Sequence, residues 1–384
     1  MPDALAAHPL GDAQFALEEN RFLAQIHSSP EDIVPLLRKF WGERRHGDYT
    51  PNLVPLTSVL GRFLFYEDMS QIGRRTWSIL MSSGLPDLYQ EMIMDKDFLT
   101  EYPRWILQVL SGLVAVTRQC RNLKDAALAN RILVKSHSVW KSLWDRRDAL
   151  YPGPNRWITI QRGIIGFHRL VTEKIVLLVV SMTELYMWRN RMTDWFKTHI
   201  RHVSFYCWFH HDLNDVEMLS PTPGLALSAM SVQMSLSSIE SDDFASDFGK
   251  EMIRIFGAQS LLNRFEQDFK NPTVEDSGHG LRISIIADFG RHEEMQAVLG
   301  LRTYFNSIVN VLRGMKQRQC EKEWDVWSLS CHILKIITLN IDKFITPGLI
   351  SSVRGDDIFY MMSRGVTFCA QDPDHTRKFC LSFE

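Results

Sequence analysis

Apolar residues recur at three- and four-residue steps along most of this chain, and the two-residue alternation of a half-buried strand is almost absent. In "TWSILMSSGLPDLYQEMI" the residues Trp77, Leu80, Leu85, Leu88 and Met92 keep the helical step, broken by a corner at Gly84 and Pro86. "RWILQVLSGLVAVTRQC" and "EKIVLLVVSMTELYMW" are apolar on most sides, the pattern of helices sandwiched between neighbours. "TYFNSIVNVLRGM" and "VWSLSCHILKIITLNIDKFI" each carry a broad apolar face with spaced Lys or Arg. Only "LRISIIADF" reads equally as a strand or a short buried helix. The chain is therefore expected to be all-α, either a solenoid of helical pairs or a large helical bundle.

Glycines give the pattern a weak period. Gly84, Gly257, Gly300 and Gly348 each precede an apolar helical stretch, and the last three stand 43 and 48 residues apart. Helical repeats run at ~40–47 residues, so the spacing points to the solenoid. A chain of 384 residues is long for one core and suggests two lobes. From Asp212 to Asp247 there are seven acidic residues and no Lys or Arg, with Ser, Met and Pro in abundance. That segment marks the expected division: an N-terminal lobe over 1–211, an acidic linker or insertion over 212–247, and a C-terminal lobe over 248–384. Ser237, with Glu240 three residues on, is a phosphorylation candidate within it; the plainer reading is a solvated insertion between helices.

Composition excludes several functions. Hydrophobic residues at 45% and charged residues at 23% describe a folded protein. A formal charge of -2 gives no bulk attraction to nucleic acid or to an anionic membrane. The longest apolar run, Ile175 to Met182, falls far short of the ~20 residues that span a bilayer. Six cysteines without a CxxC pair, and an N-terminus without a signal-peptide pattern, predict a reduced intracellular setting, cytoplasmic or nuclear.

"HVSFYCWFHHD" is the stretch richest in chemistry. His202, Cys207, His210 and His211 could offer atoms to zinc, with Cys207, His210 and His211 closest in sequence. A helix beginning near Thr193 would instead place Phe196, Ile200, Val203, Cys207 and His210 on one stripe, making Cys207 a small core residue. The core reading is preferred, since a closed site needs a fourth ligand and adjacent histidines diverge by ~100° on a helix. Cys369, His375 and Cys380, with Cys331 and His332, form a second set that lacks a CxxC clamp. "RGDDIFYMM" reads as a helix end at Gly355 and a cap at Asp356. "ERRH" and "DRRD" read as solvated helix ends. No phosphate loop, dinucleotide fingerprint, HExxH or GxSxG is present, no catalytic pair stands out, and no cofactor is implied.

"SSGLPDLYQEMIMD" resembles the final helix of an armadillo repeat, which opens with Gly before an apolar pair. "RILVKSHSVWKSLWDRRDAL" looks like a divergent version, with Val139, Trp140 and Trp144 as its core knobs. Both stretches are also similar to the helical region ahead of the zinc finger in fungal MYND-finger proteins, a diffuse likeness over about residues 50–350. The paired CxxC and closing His-x3-Cys ligands of that finger have no counterpart here, so no zinc role and no functional residue carries over. What the armadillo- and HEAT-type resemblance implies is a non-catalytic scaffold that binds a protein partner along its repeat surface, or such a protein without its finger. A metal-dependent protein or enzyme with its site near His202–His211, and a structural helical domain of an oligomer, are the alternatives; the oligomeric state is left open.

Overall fold

A computed structural model describes residues 12–44, 52–66, 71–100, 103–150, 165–210, 242–270, 289 and 292–299. Every regular element among them is helical. The chain divides into two compact units, Met1–His210 and His211–Glu384.

In the first unit the helices are α1 (Asp12–Ser28), α2 (Ile33–Gly42), α3 (Leu53–Tyr66), α4 (Gln71–Ser82), α5 (Leu85–Met94), α6 (Pro103–Asn122), α7 (Ala126–Asp145), α8 (Ile165–Trp188), α9 (Met192–Phe196) and α10 (Ile200–His210). Helix α6 is central and packs against α3, α5, α7 and α8. Its all-round apolar sequence explains this position: Trp105, Ile106, Val109, Leu110, Leu113, Val114 and Val116 are all buried. Gly112 lets α5 come close, because a Cβ there would lie 2.6 Å from the Tyr89 ring.

Asp87, Glu91 and Asp95 of the α5 run meet Arg131, Lys135 and Arg146 of the α7 run in the same order. Hence α5 and α7 run parallel. The C-terminal ends of α6 and α8 also meet, through Arg121 and Glu184 at 2.5 Å.

In the second unit, α11 (Asp242–Phe256) packs on α12 (Ala258–Lys270), and α12 on α13 (Glu293–Leu299). Met252, Ile253, Leu261, Leu262, Phe265, Phe289 and Met295 are its buried apolar residues among those described. Residues 242–247, expected within the linker, belong to α11, because the helical spacing of Phe248, Met252 and Ile253 extends back through them. The rest of the acidic segment, Ser237 included, lies outside the described residues.

Two of the four glycines that suggested a repeat are described, and both make the same turn. Gly84 (φ 93°) links α4 to α5 and Gly257 (φ 79°) links α11 to α12. In each case the glycine N–H donates back to the preceding helix and its carbonyl accepts from the next: Gly84 with Met81 and Leu88, Gly257 with Ile253 and Leu261. Positive φ suits glycine, so each residue ends one helix and opens another. Gly300 and Gly348 lie outside the described residues, as do "LRISII", "RGDDIFYMM" and the Cys331, His332, Cys369, His375 and Cys380 set. Among the described residues no helix is long and apolar enough to cross a membrane.

Candidate functional site

The single helix expected from Thr193 is two helices, and the histidine-rich stretch as far as His210 lies in the second, α10. Between α9 and α10 the Thr198 hydroxyl donates to the Trp195 carbonyl at 2.8 Å and accepts the Ile200 N–H at 3.3 Å. This local bonding interrupts the single helix expected from Thr193 onward. The result is also more buried than a one-sided stripe: every residue of α10 from Ile200 to Trp208 is buried, against α7 and α8.

Rings from three segments line up across this layer. His137 of α7 stands 6.2 Å from His199, and His199 stands 5.0 Å from His202. Trp144 lies 5.2 Å from His202 and 6.2 Å from Tyr206, which in turn lies 4.4 Å from His210. Burial, reinforced by the charge of Arg201 and by His199, pushes the His202 imidazole down to about 2. Burial pushes the Cys207 thiol up to about 12, and it does the same to Tyr206, helped there by the charge of Asp148. At neutral pH these groups are therefore uncharged.

Of the metal candidates, Cys207 is buried in α10 and His210 is exposed at its end; His211 lies outside the described residues. A thiolate ligand needs the proton to leave, which burial opposes here. Among the described residues no group of three or more His, Cys, Asp or Glu side chains is placed to hold a metal ion.

The charged residues do their work at the seam between α5 and α7. Asp87 receives Arg131 at 3.1 Å and Lys135 at 2.9 Å, and Glu91 receives Arg38 at 2.8 Å. Between them, buried Gln90 donates to the Ile132 carbonyl at 2.8 Å. The last carbonyls of α5 then meet donors from α7: Ile93 accepts from Arg146 at 2.7 Å, Met94 from Ser142 at 3.2 Å, and Asp95 from Arg146. Helix ends leave such carbonyls without intrahelical partners, so Arg146 serves as a C-terminal cap supplied by another helix.

Asp95 is the hub of this seam. Arg44 pairs with its carboxylate at 2.8 Å and reaches the Trp41 carbonyl at 2.8 Å, with its guanidinium 5.1 Å from the Trp41 ring. Burial pushes the Asp95 carboxyl up, but the Asp97 N–H, the Arg44 guanidinium and the charge of Arg146 outweigh it and hold the group below its ordinary value. Arg44 and Arg146 come from "ERRH" and "DRRD". Their expected place at solvated helix ends is thus corrected, because the Asp95 carboxylate that Arg44 pairs with and the Ile93 carbonyl that Arg146 serves arrive from α5 and its end.

A third feature lies on the surface, where the α6–α7 turn, the start of α7 and the end of α8 meet. Arg189 Nε donates to Asn130 Oδ1 at 3.3 Å, tying α8 to α7. Leu123 of the α6–α7 turn, Val134 of α7 and Met187 of α8 are exposed.

No family model, no curated protein and no solved structure matches this chain. The sequence did not point to His137, Arg44 or Arg146 as members of clusters. Each belongs to its cluster through a segment distant in sequence, and no local spacing records that.

Proposed function

We propose that this chain is a helical-repeat protein of the armadillo/HEAT type that acts in the cytoplasm or nucleus as a non-catalytic scaffold for a protein partner. The observation that carries the reading is the parallel stacking of α5 on α7, beside the packing of α6 on α8 with an ion pair near their C-terminal ends. Equivalent helices of consecutive repeats stack in this way in a solenoid, burying a continuous core and leaving an extended surface. The ionisable groups support it too. Those of the α5–α7 seam hold helices together, and those of α10 are kept uncharged, so neither set is poised for acid–base work.

The test is affinity purification of the tagged full chain, then reconstitution with the recombinant protein it retains. A saturable complex with fixed stoichiometry, from zinc-free protein, is the expected result. Stoichiometric zinc in the purified chain, with binding lost on chelation, would replace this reading with a metal-dependent one.

A further inference from the structure

Helix α8 lacks the amphipathic face by which a helix ordinarily finds its orientation. Every residue from Ile175 to Val180 is apolar, and half-buried Leu177 and Val180 are of the same kind as buried Ile175, Val176, Leu178 and Val179. Apolar burial is non-directional, so it holds α8 against α6 without choosing one rotation of it.

Two buried hydroxyls near the C-terminal end of α8 do choose. Thr183 and Tyr186 stand about one turn apart and reach different neighbours. The Thr183 hydroxyl donates to the Val179 carbonyl of its own helix at 2.8 Å, which leaves its oxygen to accept the Trp195 indole N–H of α9 at 3.0 Å. Ser136 of α7 repeats the device: its hydroxyl donates to the Leu133 carbonyl at 2.7 Å and accepts from the Tyr186 hydroxyl. All four side chains are buried. The ion pair of Glu184 with Arg121 is more exposed, where water competes and geometry discriminates weakly.

Independently of the scaffold reading, we infer that Thr183 and Tyr186 are positioning residues that set the rotation and register of α8 between α7 and α9. Turning α8 by one residue, or sliding it by one turn, keeps apolar side chains in the seam but separates both pairs. The Tyr186 hydroxyl and the Trp195 N–H would then be buried without these acceptors, a loss larger than the net contribution of the bonds themselves. That penalty singles out the native packing from its apolar alternatives.

Full chain labelled with 15N-tryptophan tests the inference, since each of the 11 indoles gives one peak when the packing is unique. Thr183→Val/Tyr186→Phe keeps the shape of both side chains and removes both bonds. The expected variant retains the helical far-UV signal but shows a second set of indole peaks, at about a tenth of the main intensity or more, that includes tryptophans of α6 and α7. Thr183→Ser, which keeps the hydroxyl, should return the parental spectrum. A single set of peaks in the double variant, with shifts confined to Trp195, would show that apolar packing orients α8 unaided and overturns the inference. A double variant that loses its helical signal is replaced by Tyr186→Phe, which leaves Ser136 bonded to Leu133 and is read by the same criterion.

Discussion

The α5–α7 seam and the α10 layer are both rich in ionisable residues, yet they treat charge in opposite ways. In the seam Asp87, Glu91 and Asp95 are each met by cations from other helices, Arg131, Lys135, Arg38, Arg44 and Arg146, and these hold the Asp95 carboxyl below its ordinary value. In the α10 layer His202, Cys207 and Tyr206 are buried, with Trp144 beside His202 and Tyr206, and burial disfavours the charged form of each. A pair of opposite charges can stay half-buried when each has hydrogen bonds; a single ionisable group among aromatic rings gives up its charge. Residue type therefore does not tell whether a group is chemically active. Its neighbours do.

The largest expected effect comes from breaking the seam. Arg146→Met keeps most of the aliphatic stem but removes the donors to the Ile93 and Asp95 carbonyls and one of the cations acting on Asp95. Leaving buried acceptors and a carboxylate short of partners costs about 3 kcal/mol. Urea denaturation of the first unit should read that loss, and Arg146→Lys should recover only part of it because a single ammonium cannot replace the fork. A loss below about 0.5 kcal/mol would place Arg146 among ordinary surface pairs and erase the contrast.

The next largest effect depends on pH and separates the two regions directly. His202 has a folded value of about 2 against an ordinary 6.5, so between those values the unfolded chain holds a proton that the native one refuses. Stability is thus intact above pH 6.5 and falls as the solution is acidified below it, by about 1.4 kcal/mol per pH unit for this one group. Asp95 acts in another window. Its folded value lies below the ordinary 3.8, so its contribution is present above that pH and is lost as pH falls through the lower folded value. His202→Gln should therefore flatten the stability slope between pH 6 and 4.5, whereas Asp95→Asn should shift the curve there without changing its slope. Equal slopes for His202→Gln and the parent chain would show that His202 is hydrated rather than packed.

Much of the fold was legible because helical periodicity is a local property. The corner at Gly84 and the all-round apolar helix from Trp105 follow from spacing alone, whereas the core positions Val139, Trp140 and Trp144 came through the armadillo-type resemblance. The sites were less legible. Arg146 looked solvent-facing because its acceptors are main-chain carbonyls of Ile93 and Asp95, which carry no residue-type signal. The break before α10 was hidden because Thr198 competes with the helix through its own hydroxyl, a contest that periodicity does not register. His137 meets His199 only through the packing of α7 against the segment that opens α10.

The smallest effect tests the α10 side of the contrast at its most chemical residue. Cys207 is buried, and its thiol is pushed up to about 12 by burial alone. A protonated thiol in that setting behaves as a small hydrophobe, so Cys207→Ala should remove one sulfur's worth of packing and cost about 1 kcal/mol. Alkylation of native protein by iodoacetamide should leave Cys207 untouched at neutral pH, because the reactive thiolate is scarce and the path to it is closed. A chelator should shift neither the parent melt nor that of Cys207→Ala. A metal held by Cys207 and His210 would behave differently: chelator would lower the parent melt steeply, Cys207→Ala would reproduce that drop, and the treated and untreated variant would melt together. Such a match would move Cys207 from the packed, neutral side of the comparison to a charged and liganded one.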